Sequence, residues 1–93
     1  MGYRIKFEKR FLKQLSKLDK SVQEKILFYI ADVIEQLEDP RKLGKMLTGD
    51  KFGLYRYRVG DYRLVCRIID RDITIIMISV GHRKNIYKES TRK

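Results

Sequence analysis

Residues 54–63 read Leu-Tyr-Arg-Tyr-Arg-Val-Gly-Asp-Tyr-Arg, and this segment predicts a β-hairpin with three arginines on one face. Two tyrosines and Val59 alternate with arginines, which is the two-residue period of a half-buried strand. Gly60 and Asp61 then form a two-residue loop, in which glycine supplies the positive φ that such a turn needs. The segment therefore predicts two paired antiparallel strands.

The predicted pairing places the arginines of this hairpin side by side. With a two-residue loop Arg58 faces Arg63, and Arg56 lies two residues from Arg58 on the same side. Like charges directly opposite each other destabilise a hairpin, so a fold that accepts this cost is expected to bind an anion there. Guanidinium groups fit phosphate oxygens in bidentate fashion, which makes phosphate the expected ligand.

The composition is that of one small, strongly basic domain, residues 1–93. Its 22 Lys and Arg against 12 Asp and Glu give a net charge of +10, which favours nucleic acid, an anionic membrane or an acidic protein as partner. No apolar run approaches the ~20 residues that span a bilayer, and residues 1–15 lack the apolar core of a secretory signal. We expect a cytoplasmic protein without a membrane partner. Cys66 is the only cysteine, and its strand position predicts a buried core thiol rather than a nucleophile.

The segments before the hairpin predict one strand and two helices. Residues 3–7 alternate as a short first strand, and apolar residues at helical spacing follow from about residue 8 to residue 18. Ser21 and Glu24 match a capping box at the start of a long second helix, which Asp39 and Pro40 are expected to end. Residues 40–53 are a basic connector.

The segments after the connector predict three sequential strands, over residues 54–59, 62–69 and 73–80. The last is apolar on both faces, so it should lie centrally, although the pattern leaves its register open. The order β-α-α-β-β-β predicts an α+β domain, in which two N-terminal helices pack on one face of a mainly antiparallel four-stranded sheet. The hairpin tyrosines are then expected in the core, and the arginines on the other face, as a concave basic surface or an edge cleft.

Residues 81–88, Gly-His-Arg-Lys-Asn-Ile-Tyr-Lys, carry the remaining reactive side chains. One histidine, His82, with no carboxylate cluster nearby argues against a metal site, and no cofactor is expected. Arginines, lysines, a tyrosine and one imidazole suit metal-free RNA cleavage, since guanidinium groups stabilise the extra charge on a phosphorane. The cations near Tyr87 favour phenolate and hence a base, but packing of the tail is an equally good interpretation. For His82, a solvated loop position and a role near phosphate are both open.

Together these features resemble the RelE/ParE superfamily of bacterial and archaeal toxins, and RelE in particular. The resemblance rests on Tyr55-Arg-Tyr-Arg58, on Gly60-Asp-Tyr-Arg-Leu-Val65, and on Ile78-Ser-Val-Gly-His-Arg83 followed by Tyr87. It implies a RelE-like fold and a type II toxin that cleaves mRNA in the ribosomal A site, in contact with small-subunit ribosomal RNA. It also implies a cognate RelB-like antitoxin, through which alone the toxin would reach operator DNA.

The resemblance further implies a role for each hairpin arginine. Arg56 and Arg58 match a pair of basic residues that bind and neutralise the scissile phosphate, where the best-known members carry lysines. Arg63 matches the arginine that stabilises the transition state.

The tail residues receive roles from the same resemblance. Arg83 matches the proposed general acid and Tyr87 the proposed general base, while His82 and Lys84 are candidates for an assisting role. Two alternatives stay open within this basic fold. One is a ParE-like inhibitor of DNA gyrase without nuclease activity, and the other is a non-catalytic basic nucleic-acid-binding module.

Overall fold

The computed structural model describes residues 2–46 and 54–82. The elements in chain order are β1 (Arg4–Phe7), α1 (Lys9–Ser16), α2 (Lys20–Tyr29), a π-helical turn (Ile30–Ile34), α3 (Pro40–Leu43), β2 (Lys45–Met46), β3 (Leu54–Val59), β4 (Tyr62–Ile69) and β5 (Thr74–His82). The helices α1, α2 and α3 all precede the three sequential strands β3–β5, so the predicted α+β class is confirmed.

The strands form one sheet in the order β1-β5-β4-β3-β2. β1 runs parallel to β5, and the other neighbours are antiparallel, as the mainly antiparallel prediction requires. β5 lies between β1 and β4, which confirms the interior position inferred from its apolar residues. The four predicted strands are all present. β2, with two residues, is a fifth strand that the sequence pattern did not reveal.

The core lies between the helices and one face of the sheet, which we call the helix face. Its buried residues are Phe11, Leu15, Ile26, Ile30, Ile34, Tyr57, Val59, Leu64, Cys66, Ile68, Ile75, Met77 and Val80. Burial raises the pKa of the Cys66 thiol to about 12, so the prediction of an inert core thiol is confirmed. Tyr55 and Tyr62 are half-buried against the same cluster, as expected for core rather than base-stacking positions.

The predicted capping box is wrong. α2 begins at Lys20 with Asp19 at the N-cap, so Ser21 lies inside the first turn, and no side chain caps the helix. A different side chain stabilises the connection between α1 and α2. Gln23 in α2 donates a hydrogen bond from Nε2 to the carbonyl oxygen of Leu18, at 2.8 Å.

Pro40 begins a helix instead of ending one. The preceding helix has already ended with the π-helical turn, in which Glu35 N donates to Ile30 O at 2.9 Å. Pro40 occupies the first turn of α3, where a missing N–H costs nothing, and an Asp39 carboxylate oxygen accepts a hydrogen bond from Arg41 N at 3.2 Å. The Asp-Pro pair is therefore the start signal of α3.

The turn between β4 and β5 holds Ile73 in a strained conformation. Its φ is +48°, a region that β-branched residues rarely adopt, although the side chain is 54% exposed. Ile73→Gly is expected to raise the free energy of unfolding by about 0.5–1 kcal/mol, since the relieved strain exceeds the added entropy of the unfolded chain. Urea denaturation measures the change. Ile73→Ala is the control, because it removes the side chain but keeps the Cβ; a glycine variant less stable than the alanine variant would contradict the argument.

Candidate active site

The β3–β4 hairpin has the register inferred from its sequence. Val59 pairs with Tyr62 and Arg58 pairs with Arg63, so a two-residue loop joins the strands. Gly60 has a φ of +61°, and it is the first loop residue, as in the turns that match the twist of paired strands. The predicted juxtaposition of Arg58 and Arg63 is confirmed.

The arginines lie on the sheet face that points away from the helices, because their neighbours Tyr57 and Val59 are buried in the core. Strand alternation and register place seven cations on this face, which we call the cationic face. They are Arg4, Lys6, Lys45, Arg56, Arg58, Arg63 and Arg67. Arg56 and Arg63 are half-buried, whereas Arg58 is exposed. The described strand residues that share this face include no carboxylate.

Part of the cationic face is recessed. A cleft of about 250 Å³ is lined by Leu43, Lys45, Arg56, Arg58 and Arg63, and we call it the arginine cleft. Four of its five lining residues are cations, and their side chains converge from three strands. Such a cleft can hold a phosphate group, and it can stabilise negative charge that develops on it.

Lys45 is the cleft residue that the sequence analysis missed. The sequence pattern assigns Lys45 to the basic connector of residues 40–53, because a two-residue strand has no period that a pattern can reveal. In the structure Lys45 pairs with Arg56 on the edge of the sheet. The available signal was Asp39-Pro40, which marks a helix start and would have placed Lys45 directly after a short helix.

The segment before Lys45, residues 40–44, is attached to β3 through Tyr57. Tyr57 is buried, and its hydroxyl donates to the carbonyl oxygen of Pro40 at 2.6 Å. Burial raises the pKa of Tyr57, which keeps this hydroxyl protonated as a donor. Gly44 packs so closely that a Cβ there would lie 3.0 Å from the Tyr57 ring. These contacts set the distance between Lys45 and the hairpin.

A second attachment joins α3 to the β4–β5 turn. Arg41 forms a bidentate ion pair with Asp70, at 2.8 and 3.0 Å, and its guanidinium lies 5.5 Å from the centroid of the Tyr55 ring. Tyr3 also donates to Asp70, at 2.9 Å. The hydrogen bonds from Arg41 and then from Tyr3 hold the pKa of Asp70 below its ordinary value, so it stays an acceptor. These interactions thus join α3 and the residue before β1 to the turn after β4, segments that are distant in sequence.

His82, a candidate site residue, lies on the helix face and not on the cationic face. His82 pairs with Tyr62 at the end of β5, and the two rings meet edge to face with centroids 5.7 Å apart. Directly opposite residues share a face, so His82 lies on the helix face, and Gly81 is the residue opposite Arg63. The structure thus brings together Arg56, Arg58 and Arg63 but not His82. Arg83, Lys84 and Tyr87 lie outside the described residues.

Two further features concern only residues 2–46 and 54–82. No cluster of three or more His, Cys, Asp or Glu side chains that could bind a metal ion is found there. Within the same part of the chain, no helix is long and apolar enough to span a membrane.

Known proteins with this sequence pattern are toxins. The sequence model of one family, described as the ParE toxin of the type II toxin–antitoxin system parDE, matches residues 5–87. The mRNA interferase toxin RelE of Escherichia coli is 33% identical over 97 aligned positions, which cover 100% of this chain and 98% of that protein.

Two solved structures of toxin–antitoxin complexes contain a chain with this fold. A chain of the RelBE2 toxin–antitoxin complex from Mycobacterium tuberculosis superposes with a TM-score of 0.78 at 27% identity, covering 89% of this chain and all (100%) of that one. The archaeal RelE–RelB complex from Pyrococcus horikoshii gives a TM-score of 0.68 at 32% identity, covering 89% and 97%. The chain therefore belongs to the RelE/ParE superfamily of type II toxins. Within that superfamily, its similarity along the full length is to RelE.

Proposed function

We propose that this protein is the toxin of a type II toxin–antitoxin system and an endoribonuclease that cuts mRNA in the ribosomal A site, which inhibits translation. The arginine cleft on a RelE-type fold is the observation that carries the proposal. A concentration of cations with this geometry suits a phosphodiester, and the full-length relative is an mRNA interferase. The reaction needs no cofactor, and its site of action places the protein in the cytoplasm.

The hairpin arginines act on the phosphate of the scissile bond. Arg56 and Arg58 bind its non-bridging oxygens, and Lys45 adds a fourth cation from the opposite wall of the cleft. Arg63 stabilises the additional charge of the phosphorane that forms when the ribose 2′-hydroxyl attacks. A half-buried guanidinium in a regular strand is held in place before the charge develops, which is the condition for strong electrostatic stabilisation.

Two tail residues move the protons of this reaction. Tyr87 takes the proton of the attacking 2′-hydroxyl, and Arg83 gives a proton to the departing 5′-oxygen, with Lys84 as an assisting cation. The P–O bond to the 2′-oxygen forms as the bond to the 5′-oxygen breaks. The products are a 2′,3′-cyclic phosphate and a 5′-hydroxyl, and this pair of ends identifies the mechanism.

A RelB-like antitoxin is the partner that restrains the toxin. Both structural relatives described above are complexes with RelB. The net charge of +10 attracts an acidic segment, and the helices expose Leu12, Leu27 and Phe28 to an amphipathic one. We expect the antitoxin to fold as it binds, and to associate more slowly as salt screens the attraction.

A ParE-like function is the second candidate, because the matching family model is described as ParE. Such a protein would bind DNA gyrase without cutting RNA. The proposal predicts that the wild-type protein stops cell-free translation, cuts mRNA only when ribosomes are present, and leaves gyrase supercoiling unchanged. Primer extension and end-group analysis report the cut and its 5′-hydroxyl. Intact mRNA together with inhibited supercoiling would establish the gyrase function instead.

A further inference from the structure

Three cations of the cationic face lie outside the arginine cleft, and we call Arg4, Lys6 and Arg67 the distal patch. Lys6 pairs with Ile76, which in turn pairs with Arg67, so the two cations flank one isoleucine. Their backbones are about 10 Å apart, which is two strand spacings. Arg4 lies two residues from Lys6 on the same face of β1.

The distal patch extends the cationic face beyond the arginine cleft. Arg67 pairs with Leu54, which precedes Arg56 by two residues, about 7 Å along the strand. The backbones of Lys6 and Arg63 are roughly 16 Å apart, from four residues along the sheet and two strands across it. Lys6 and Arg4 therefore lie far from a phosphate that is centred on Arg63. They are placed to contact a more distant part of the same RNA.

Residues 2–46 and 54–82 give these three cations no partner of opposite charge. All three side chains are exposed, and no described carboxylate forms an ion pair with any of them. The nearby Asp70 is already bound by Arg41 and Tyr3. Cations gathered on one face without carboxylates create a positive potential that extends the field of the cleft.

We propose that the distal patch binds the phosphate backbone of RNA away from the scissile position, an inference that rests on the proposed function. A polyanion held in the cleft has further phosphates to offer along the same face. The apolar residues beside the patch, Leu54, Ile69 and Ile76, are all half-buried, whereas its three cations are exposed. An exposed surface of this kind suits a polyanion better than the apolar side of an antitoxin segment. Phosphate contacts of this kind fix the register of a nucleic acid without reading its sequence.

The test is the double variant Lys6→Gln/Arg67→Gln, compared with Lys13→Gln/Lys25→Gln, which removes the same charge from exposed helix positions. Ribosome binding is measured over a series of KCl concentrations, and single-turnover cleavage at saturating ribosomes. The patch variant should bind roughly 10–100-fold more weakly at ~0.1 M salt, with the slope of log K against log salt smaller by about two. Its saturating rate should stay within two-fold of wild type, and the helix variant should match wild type in both measurements.

Three outcomes overturn the assignment. Equal weakening by both double variants means that only diffuse charge matters. A patch variant that binds ribosomes normally but loses affinity for the antitoxin makes the surface an antitoxin interface. If the wild-type protein does not bind ribosomes, the patch has no RNA ligand there and the assignment is wrong. If the wild type binds with the predicted salt dependence but never cuts mRNA, the nuclease function fails and the assignment of the patch stands. Melting curves of both double variants show whether each is folded.

Discussion

Arg63→Ala is expected to slow single-turnover mRNA cleavage by ~10²–10³-fold, the usual cost of removing one preorganised donor from an oxyanion site. Arg63 is half-buried in β4, directly between Arg58 on one neighbouring strand and Gly81 on the other. Because Gly81 has no side chain, the guanidinium has no competing side chain on that side. The sheet positions the backbone of Arg63, and the Nε atom of its side chain is buried.

The fold should survive this substitution. Removing one of two directly opposed arginines relieves their repulsion, so the melting temperature is expected to stay level or rise slightly. Arg71→Ala, in the exposed β4–β5 turn, removes the same charge far from the cleft and should cut at the wild-type rate. Lys45→Ala should lie between these two variants, with a weaker Kd and a smaller loss of rate, because Lys45 is exposed on an edge strand. A folded Arg63→Ala protein that cuts at more than a fifth of the wild-type rate would show that the site is elsewhere.

The hairpin could be predicted from the sequence because its information is local. Gly60 fixes the turn, the turn fixes the register, and alternation then assigns Arg58 and Arg63 to one face and Tyr57 to the other. Each step involves residues that are neighbours along the chain or directly across a two-residue loop. The side of the sheet that carries the cleft followed from the same alternation.

The part of the cleft that Lys45 of β2 forms could not be predicted, because contacts between distant segments position this strand. The Tyr57 hydroxyl reaches the Pro40 carbonyl across 17 residues, and Arg41 reaches Asp70 across 29. Neither interaction leaves a periodic trace in the sequence. The two-residue strand with Lys45 exists because these contacts bring it to the sheet edge.

The face occupied by His82 could not be predicted for another reason. The register of β4 and β5 shifts between Val65 and Cys66, since Val65 pairs with Ser79 and Cys66 with Met77. Because of this bulge, the β5 residues that face the helices are odd-numbered before it and even-numbered after it. A strand that is apolar on both faces gives no independent signal of such a shift, so the position of His82 relative to the arginines stayed open until the pairing was known.

The geometry at the end of β5 leads to the second large prediction, which concerns the general base. Two residues are candidates for this role, His82 and Tyr87, and the structure describes the first of them. The His82 ring lies on the helix face against Tyr62, away from the arginine cleft. Tyr87, outside the described residues, has Arg83, Lys84 and Lys88 as sequence neighbours. A cation that lies close to a phenol favours phenolate, the form that can act as a base.

Tyr87→Phe is therefore expected to reduce single-turnover cleavage by ~10²–10⁴-fold, the usual contribution of a general base. The substitution keeps the ring and any packing of the tail, and it removes only the hydroxyl. His82→Gln is the matched comparison and should cut within a few-fold of wild type. Ribosome binding of both variants should be unchanged, which separates a loss of chemistry from a loss of affinity.

The pH dependence gives a second, independent test of the same role. A tyrosine titrates near ~10 in water, and the active form of a base is the deprotonated one, so the wild-type rate should rise with pH as phenolate accumulates. Nearby cations stabilise phenolate, which moves this rise to lower pH. Tyr87→Phe should lose the rise as well as the rate. A Tyr87→Phe protein that keeps both, beside a slow His82→Gln protein, would assign proton transfer to the imidazole and would mean that the end of β5 rearranges when RNA binds.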